Sequence, residues 1–252
     1  MNVYIALVLC FLPLILSFVL FKLCSKIKIS TELIASLAAL FCVLPASFIQ
    51  FLLVYYSHDK GAFDTQIVPL FFKCLVFNGL VEEGVKLLFL LFIPRKNTKF
   101  SHYFIAAVLF GIAFGCFESV IYFLKHLQSA KANGAQLIYH LIFLRMGSAV
   151  LVHTFCSALI GIFIWSCKEK HVDVLSLIFP VVLHGLYDFF LNFTNWIQWF
   201  SIAAILIIIL EARIRYEKNK PAEDYKKNPI PAKDSEDVTI ETALKDTPAF
   251  ND

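Results

Sequence analysis

Charge is what this 252-residue sequence has least of. Charged residues make up 16% of it and hydrophobic ones 59%, at a mean hydropathy of +0.75, which excludes a soluble domain of this length. The shortage is uneven, for ten of the 19 acidic and eight of the 22 basic residues lie after residue 210. The earlier part therefore leaves no room for a separate soluble domain. Cysteine pairing is also missing. The seven cysteines (Cys10, Cys24, Cys42, Cys74, Cys116, Cys156 and Cys167) are scattered, mostly in apolar runs, without a C-x-x-C pair; they read as small buried hydrophobes with no redox role. Absent too are the H-E-x-x-H spacing that places two zinc-binding histidines one turn apart and any visible inverted repeat of the transporter kind.

Long apolar runs are what the sequence has instead. About 20 apolar residues cross a bilayer core, and seven runs qualify, at roughly 3–24, 33–56, 67–94, 102–124, 146–167, 172–193 and 196–211. The expected fold is all-α, a polytopic transmembrane helix bundle of about seven spans over residues 1–211. A charged tail, 212–252, interrupted by Pro221, Pro229, Pro231 and Pro248, is expected to be disordered and cytosolic. The first run has no basic leader and no small-residue cleavage site, and Lys22, Lys26 and Lys28 follow it, so it reads as a retained anchor. Within the longest loop, 125–145, Ile138, Leu141, Ile142 and Arg145 fall at helical spacing, suggesting an interfacial helix feeding the fifth span.

Inside these runs stand a few ionisable residues. Each costs ~3 kcal/mol at mid-bilayer unless it faces protein or a water-filled cavity, and such residues mark function. Glu82 and Glu83 lie in the third run with Lys86 one turn on, so two carboxylates share one cation and one acid is left unbalanced. Glu118 sits in the fourth run, with Tyr122 one turn further on the same face and the close-packing pattern Gly111-x-x-x-Gly115 before it. His153 occupies the fifth run, and His184 and Asp188 share one face of the sixth, where a local His–Asp bond would satisfy both. Counted from the cytosolic ends of four spans at about 1.5 Å per residue, Glu83, Glu118, His153, His184 and Asp188 all fall roughly 16–24 Å deep. One shared polar chamber is the simplest account.

With E-E-x-x-K at Glu82, Glu83 and Lys86, F-x-x-x-E at Phe114 and Glu118, Arg145 leading to His153, and H-x-x-x-D at His184 and Asp188, residues 66–195 resemble the PrsW family of glutamic-type intramembrane proteases. The pattern is also distantly similar to the CAAX prenyl endopeptidase and Abi superfamily, but Glu118 stands where that superfamily has histidine. Ser119 stands where PrsW members often have asparagine. The resemblance implies a peptidase that hydrolyses membrane-protein or membrane-associated peptide substrates, single-span proteins above all, in the bilayer. Its catalytic set would be Glu82, Glu83, Lys86, Glu118, His153, His184 and Asp188. A glutamate would activate water, His153 and His184 would orient that water or stabilise the oxyanion, Lys86 would keep one carboxylate ionised, and Asp188 would fix a histidine's tautomer.

No cofactor, metal or nucleic-acid partner is expected. Two alternatives use the same residues: an intramembrane metalloprotease, disfavoured by the missing paired-histidine spacing, and a proton- or cation-coupled transporter or channel. Basic residues set the orientation in the cell membrane. Loops after the first, third and fifth runs hold Lys22, Lys26, Lys28, Arg95, Lys96, Lys99, Lys168 and Lys170, whereas the others hold Lys60, Lys125 and Lys131. Eight against three places the amino terminus outside and the carboxyl terminus in the cytosol. Reporter fusions after Lys99 and Tyr216 are expected to signal from the cytosol and one after Lys131 from outside; an outside signal from either of the first two overturns the orientation.

Overall fold

The computed structural model describes residues 3–24, 28–58, 66–95, 98–133, 136–168 and 172–220. The regular elements among them are all helical: α1 (Val3–Cys24), α2 (Ile29–His58), α3 (Ile67–Lys73), a π-helical stretch (Cys74–Leu80), α4 (Val81–Leu90), α5 (Phe100–Asn133), α6 (Gln136–Gly147), α7 (Ala149–Ser166), α8 (Leu175–Leu191), a 3₁₀ turn (Trp196–Trp199) and α9 (Phe200–Asn219). The all-α membrane class is as expected. Large apolar side chains such as Tyr4, Leu16, Phe48, Phe51, Leu206 and Leu210 are exposed on α1, α2 and α9, a surface suited to lipid and not to water.

Two of the seven expected runs are not single helices of crossing length. Five stretches among the described residues are long and apolar enough to cross a membrane: Val3–Cys24, Ile29–Tyr56, Phe100–Leu127, Tyr139–Ser166 and Trp196–Asn219. The run expected at 67–94 is instead three consecutive helical pieces with a π-helical middle, and its last piece carries Glu82, Glu83 and Lys86. The run at 172–193 holds α8, whose 17 residues lie at the lower limit for crossing.

Other boundaries move for local reasons. Residues 125–133, expected in a loop, continue α5. The expected interfacial helix is α6, and with α7 it forms one apolar stretch interrupted at Ser148, whose φ −130° and ψ −68° leave helical geometry. At the other end α9 runs past the expected boundary at residue 211 to Asn219. Arg215 there donates to Asp173 Oδ1 at 3.0 Å and to Glu211 Oε2 at 3.2 Å, and Asn219 donates to Asp173 Oδ2 at 2.9 Å. Charges that looked like the start of a solvated tail are thus paired. Residues 221–252 and the loop lysines Lys26, Lys60, Lys96 and Lys170 lie outside the described residues. Of the cysteines, Cys10, Cys42, Cys74, Cys116 and Cys156 are buried and unbridged, whereas Cys24 and Cys167 are exposed.

Helices α5 and α7 form the centre, surrounded by α1, α2, α4, α8 and α9. Small residues permit the crossing. A Cβ on Gly111 would fall 2.6 Å from Thr154 Cα, one on Gly115 would fall 2.9 Å from Val150 Cα, and one on Gly161 would fall 2.6 Å from Ala107 Cβ. The G-x-x-x-G pattern therefore does what its spacing suggested. It also sets His153, one residue before Thr154, against α5. A second close crossing joins α8 to the π-helical stretch, where a Cβ on Gly185 would fall 2.7 Å from Leu75 Cα. The neighbouring His184 is thereby held close to the helix that leads into α4. Gly111→Ala is expected to force α5 and α7 apart and lower stability by about 1–3 kcal/mol. Gly84→Ala, which meets nothing within 4 Å, is the control. Thermal unfolding of both in detergent checks this: only the first midpoint should fall.

Candidate active site

Four helices deliver the expected residues to one place. Glu82, Glu83 and Lys86 come from α4, Glu118 from α5, His153 from α7, and His184 and Asp188 from α8. Burial is nearly complete: Glu83 and Lys86 expose nothing, and Glu82, His153 and His184 expose 2–3%. Three turns of α4 thus carry two acids and a base with almost no access to bulk solvent, which is tolerable only if each finds partners within the bundle.

Lys86 is the hub. Its Nζ donates to Glu83 Oε1 at 2.7 Å and to His153 Nδ1 at 2.9 Å, lies 3.7 Å from Glu82 Oε2, and sits 4.3 Å from the centre of the Phe114 ring. Phe114 also packs against the His153 ring, with centroids 5.0 Å apart. The F-x-x-x-E motif thus has a physical content: one turn apart on α5, Phe114 backs the lysine and Glu118 holds the histidine. An ammonium can only donate, so His153 Nδ1 is an acceptor and its proton is on Nε2. That N–H donates to Glu118 Oε2 at 2.6 Å.

Glu118 has a second partner. Arg145, from α6, donates to the same Oε2 at 2.5 Å, and its guanidinium lies 3.8 Å over the Tyr122 ring. In the sequence Arg145 served as a marker of the expected interfacial helix and as a landmark leading to His153. The structure makes it the counter-charge that keeps Glu118 satisfied.

His184 is held by Glu83, not by Asp188. Its Nδ1 donates to Glu83 Oε1 at 2.6 Å, whereas its Nε2 is 3.6 Å from Asp188 Oδ2, beyond hydrogen-bond range. The local i, i+4 bond that would have satisfied both groups within α8 does not form. Asp188 instead accepts from Asn78 Nδ2, on the π-helical stretch, at 2.7 Å. The other ring nitrogen of His184, Nε2, faces Glu82 Oε2 at 3.8 Å.

Glu82 stands apart from its neighbour. Oε1 accepts from Gln50 Nε2, on α2, at 2.7 Å. Oε2 is buried and has no hydrogen-bond partner among the described residues, yet Lys86 Nζ, His153 Nδ1 and His184 Nε2 surround it at 3.7, 3.8 and 3.8 Å. A cavity of about 280 Å³ borders Glu82, lined also by Gln50, Phe77, Asn78, Tyr122 and Asp188 among others, whereas Lys86, His153 and His184 lie behind its wall. Gln50 and Asn78 were not singled out in the sequence. Each is a lone amide in an apolar run, and for Asn78 the only signal was its place one turn before Glu82.

Comparison with known proteins fits this geometry. The profile described as PrsW family intramembrane metalloprotease matches residues 30–212. The chain belongs to the PrsW family. Protease PrsW of Bacillus subtilis (strain 168) is 25% identical over 169 residues, covering 62% of this chain and 68% of that one. No solved structure matches significantly. The PrsW profile takes in α2 as well as the motif region, and membership makes this an integral membrane protein of a peptidase family.

The printed family description raises a metal, so its fit can be tested on the PrsW site itself. One ligand atom each from Glu82, Glu83, His153 and His184 lies within 4.8 Å of the others. His153 Nδ1 and His184 Nε2 each lie 3.8 Å from Glu82 Oε2, and each ring's other nitrogen donates to a carboxylate, the support that metal-binding histidines usually have. Two histidines and a glutamate match a common catalytic zinc set. The residues fit, provided the Lys86 ammonium swings off His153 Nδ1. The missing H-E-x-x-H spacing therefore carries little weight, because the donors come from three helices. Arg145→Met is expected to leave the Glu118 charge held by His153 alone and to cost about 3–5 kcal/mol, as breaking buried ion pairs does. The check is thermal unfolding, beside Lys125→Met as an exposed control.

Proposed function

We propose that this PrsW-family chain is an intramembrane endopeptidase that cleaves single-span membrane proteins with water activated by Glu82. The observation that carries the reading is Glu82 Oε2: a buried carboxylate oxygen without a hydrogen-bond partner among the described residues, ringed by three nitrogens, on a residue that borders a cavity. Water beside it would give a proton to Oε2 while its second proton is held by the His184 Nε2 lone pair. The water oxygen adds to the scissile carbonyl carbon, and the carbonyl oxygen takes the electron pair. Lys86 is the nearby donor for that oxyanion. As the C–N bond breaks, the proton on Glu82 passes to the leaving amine, giving a carboxyl and an amine product. Glu83 stays ionised between Lys86 and His184 and fixes both. Glu118 with Arg145 orients His153, and Asn78 holds Asp188 at the cavity wall.

The donor geometry favours a second reading that keeps the same residues. Glu82 Oε2, His153 Nδ1 and His184 Nε2 would hold a divalent cation, with Glu83 as the remaining carboxylate. When bound, such a cation supplies polarisation of the carbonyl and a more acidic water. Orientation is part of the proposal: eight against three basic loop residues put the amino terminus outside the cell membrane and the carboxyl terminus in the cytosol.

Quantitative membrane proteomics of cells carrying wild type or the Glu82→Gln, Glu83→Gln double variant tests the substrate class, and single-span proteins are expected to accumulate with the variant. In the purified protein, Glu82→Gln is expected to reduce cleavage by about 10²–10⁴-fold, the usual share of a general base, with unchanged unfolding. Dialysis against chelator, followed by metal analysis, separates the two readings. Cleavage retained without bound metal supports carboxylate activation alone, whereas loss restored by zinc identifies the cation. Full activity in Glu82→Gln defeats both.

A further inference from the structure

Glu82 can act as described only if one of its two equivalent oxygens is held back from the nitrogen ring, and the residue that does this lies outside the motif region. Gln50 is in the second half of α2, about one turn beyond the internal Pro45. Its Nε2 donates at 2.7 Å to Glu82 Oε1 and at 3.2 Å to the carbonyl oxygen of Phe77. Phe77 belongs to the π-helical stretch, where the i→i+5 pattern loosens the ladder and leaves carbonyls more open to side-chain donors. A single amide therefore ties α2 to two points on the adjoining helix, one of them the carboxylate that does the chemistry.

We infer that Gln50 is the positioning residue for Glu82: by donating to Oε1 and Phe77 O together, it fixes the carboxylate rotamer that turns Oε2 toward Lys86, His153 and His184. The inference rests on the proposed role of Glu82. A neutral amide suits the task for two reasons. Lysine or arginine here would form a charge pair with Glu82 and compete with Lys86, while an apolar residue would leave Oε1 as well as Oε2 without a donor inside the bundle. Gln50 also lines the cavity, so a plain contact with substrate is the rival explanation. The two differ kinetically. Loss of positioning lowers turnover, whereas loss of a substrate contact raises KM.

The experiment uses the full chain purified in detergent, with a dye-quenched synthetic single-span transmembrane peptide as the probe. It compares wild type, Gln50→Met, Gln50→Glu and Glu82→Gln. Gln50→Met keeps the length of the side chain without a donor, and Gln50→Glu keeps its shape but replaces the donor with an acceptor. Both are expected to lower kcat by about 10–100-fold, the range for residues that support a reacting group. KM should stay within about twofold, and the unfolding midpoint within a few degrees. Wild-type kcat in either well-folded variant overturns the inference, as does a rise in KM alone. If one variant does not accumulate, the other decides; if neither accumulates, Gln50 is a structural tie and the inference falls. Wild-type kcat in both Gln50 variants beside an inactive Glu82→Gln defeats only the inference. An active Glu82→Gln, or wild-type protein that leaves the transmembrane peptide intact, defeats the hydrolytic reading beneath it.

Discussion

A lysine ammonium without exposed surface is tolerable in an apolar bundle only when acceptors converge on it from several directions. Lys86 meets that condition in a way that orders its surroundings. Glu83 meets it from the same helix, His153 from α7 and the Phe114 face from α5. Because Glu83 also accepts from His184, the ammonium indirectly secures α8. Removing any of these groups would leave a charge or a lone pair stranded where water cannot reach it. The glycine-lined crossings of α5 with α7 and of α8 with the π-helical stretch have the same logic, because hydrogen bonds of 2.6–2.9 Å between four helices require backbones that approach closely.

Fixed counter-charges are too few. Glu82, Glu83, Glu118 and Asp188 face only two fixed cations, Lys86 and Arg145, so two carboxylates lack one. Glu83 and Glu118 hold the closest cations, so the surplus falls on Glu82 and Asp188, which both border the cavity. A structural ion-pair network tends toward neutrality. On the proposed reading the surplus is the working capacity of the site, ready for a proton taken from water or for a divalent cation.

How much of this was legible depended on whether an interaction lay within one helix. The pairing of Lys86 with Glu83 was readable because i, i+3 neighbours share a face. The convergence of Glu82, Glu118, His153 and His184 was readable from depth, since ionisable groups in apolar runs gather where they can satisfy one another. Spacing alone left Asp188 free to pair with His184, but tertiary partners competed: Glu83 claimed the imidazole and Asn78 claimed the carboxylate. Spacing also set metal binding aside on the absence of a one-helix motif, a criterion that donors from three helices do not obey. Gln50 had no sequence signal beyond being polar in an apolar run. The carboxyl-terminal boundary was misplaced because the acid that pairs with Arg215 is 42 residues away in the α7–α8 connection.

The π-helical stretch also sets the rotational phase of its helix. Nine residues separate Lys73 from Glu82, and at about 100° per residue an unbroken α-helix would put them on opposite sides. The wider i→i+5 turns advance each residue by a smaller angle, and both side chains line one cavity. The chain thus acts as a gearbox, converting a sequence whose amphipathic pattern is out of step across residues 74–80 into one continuous wall. A helical-wheel projection through this segment misassigns its front half, and so would a pairwise alignment that closed a one-residue gap there.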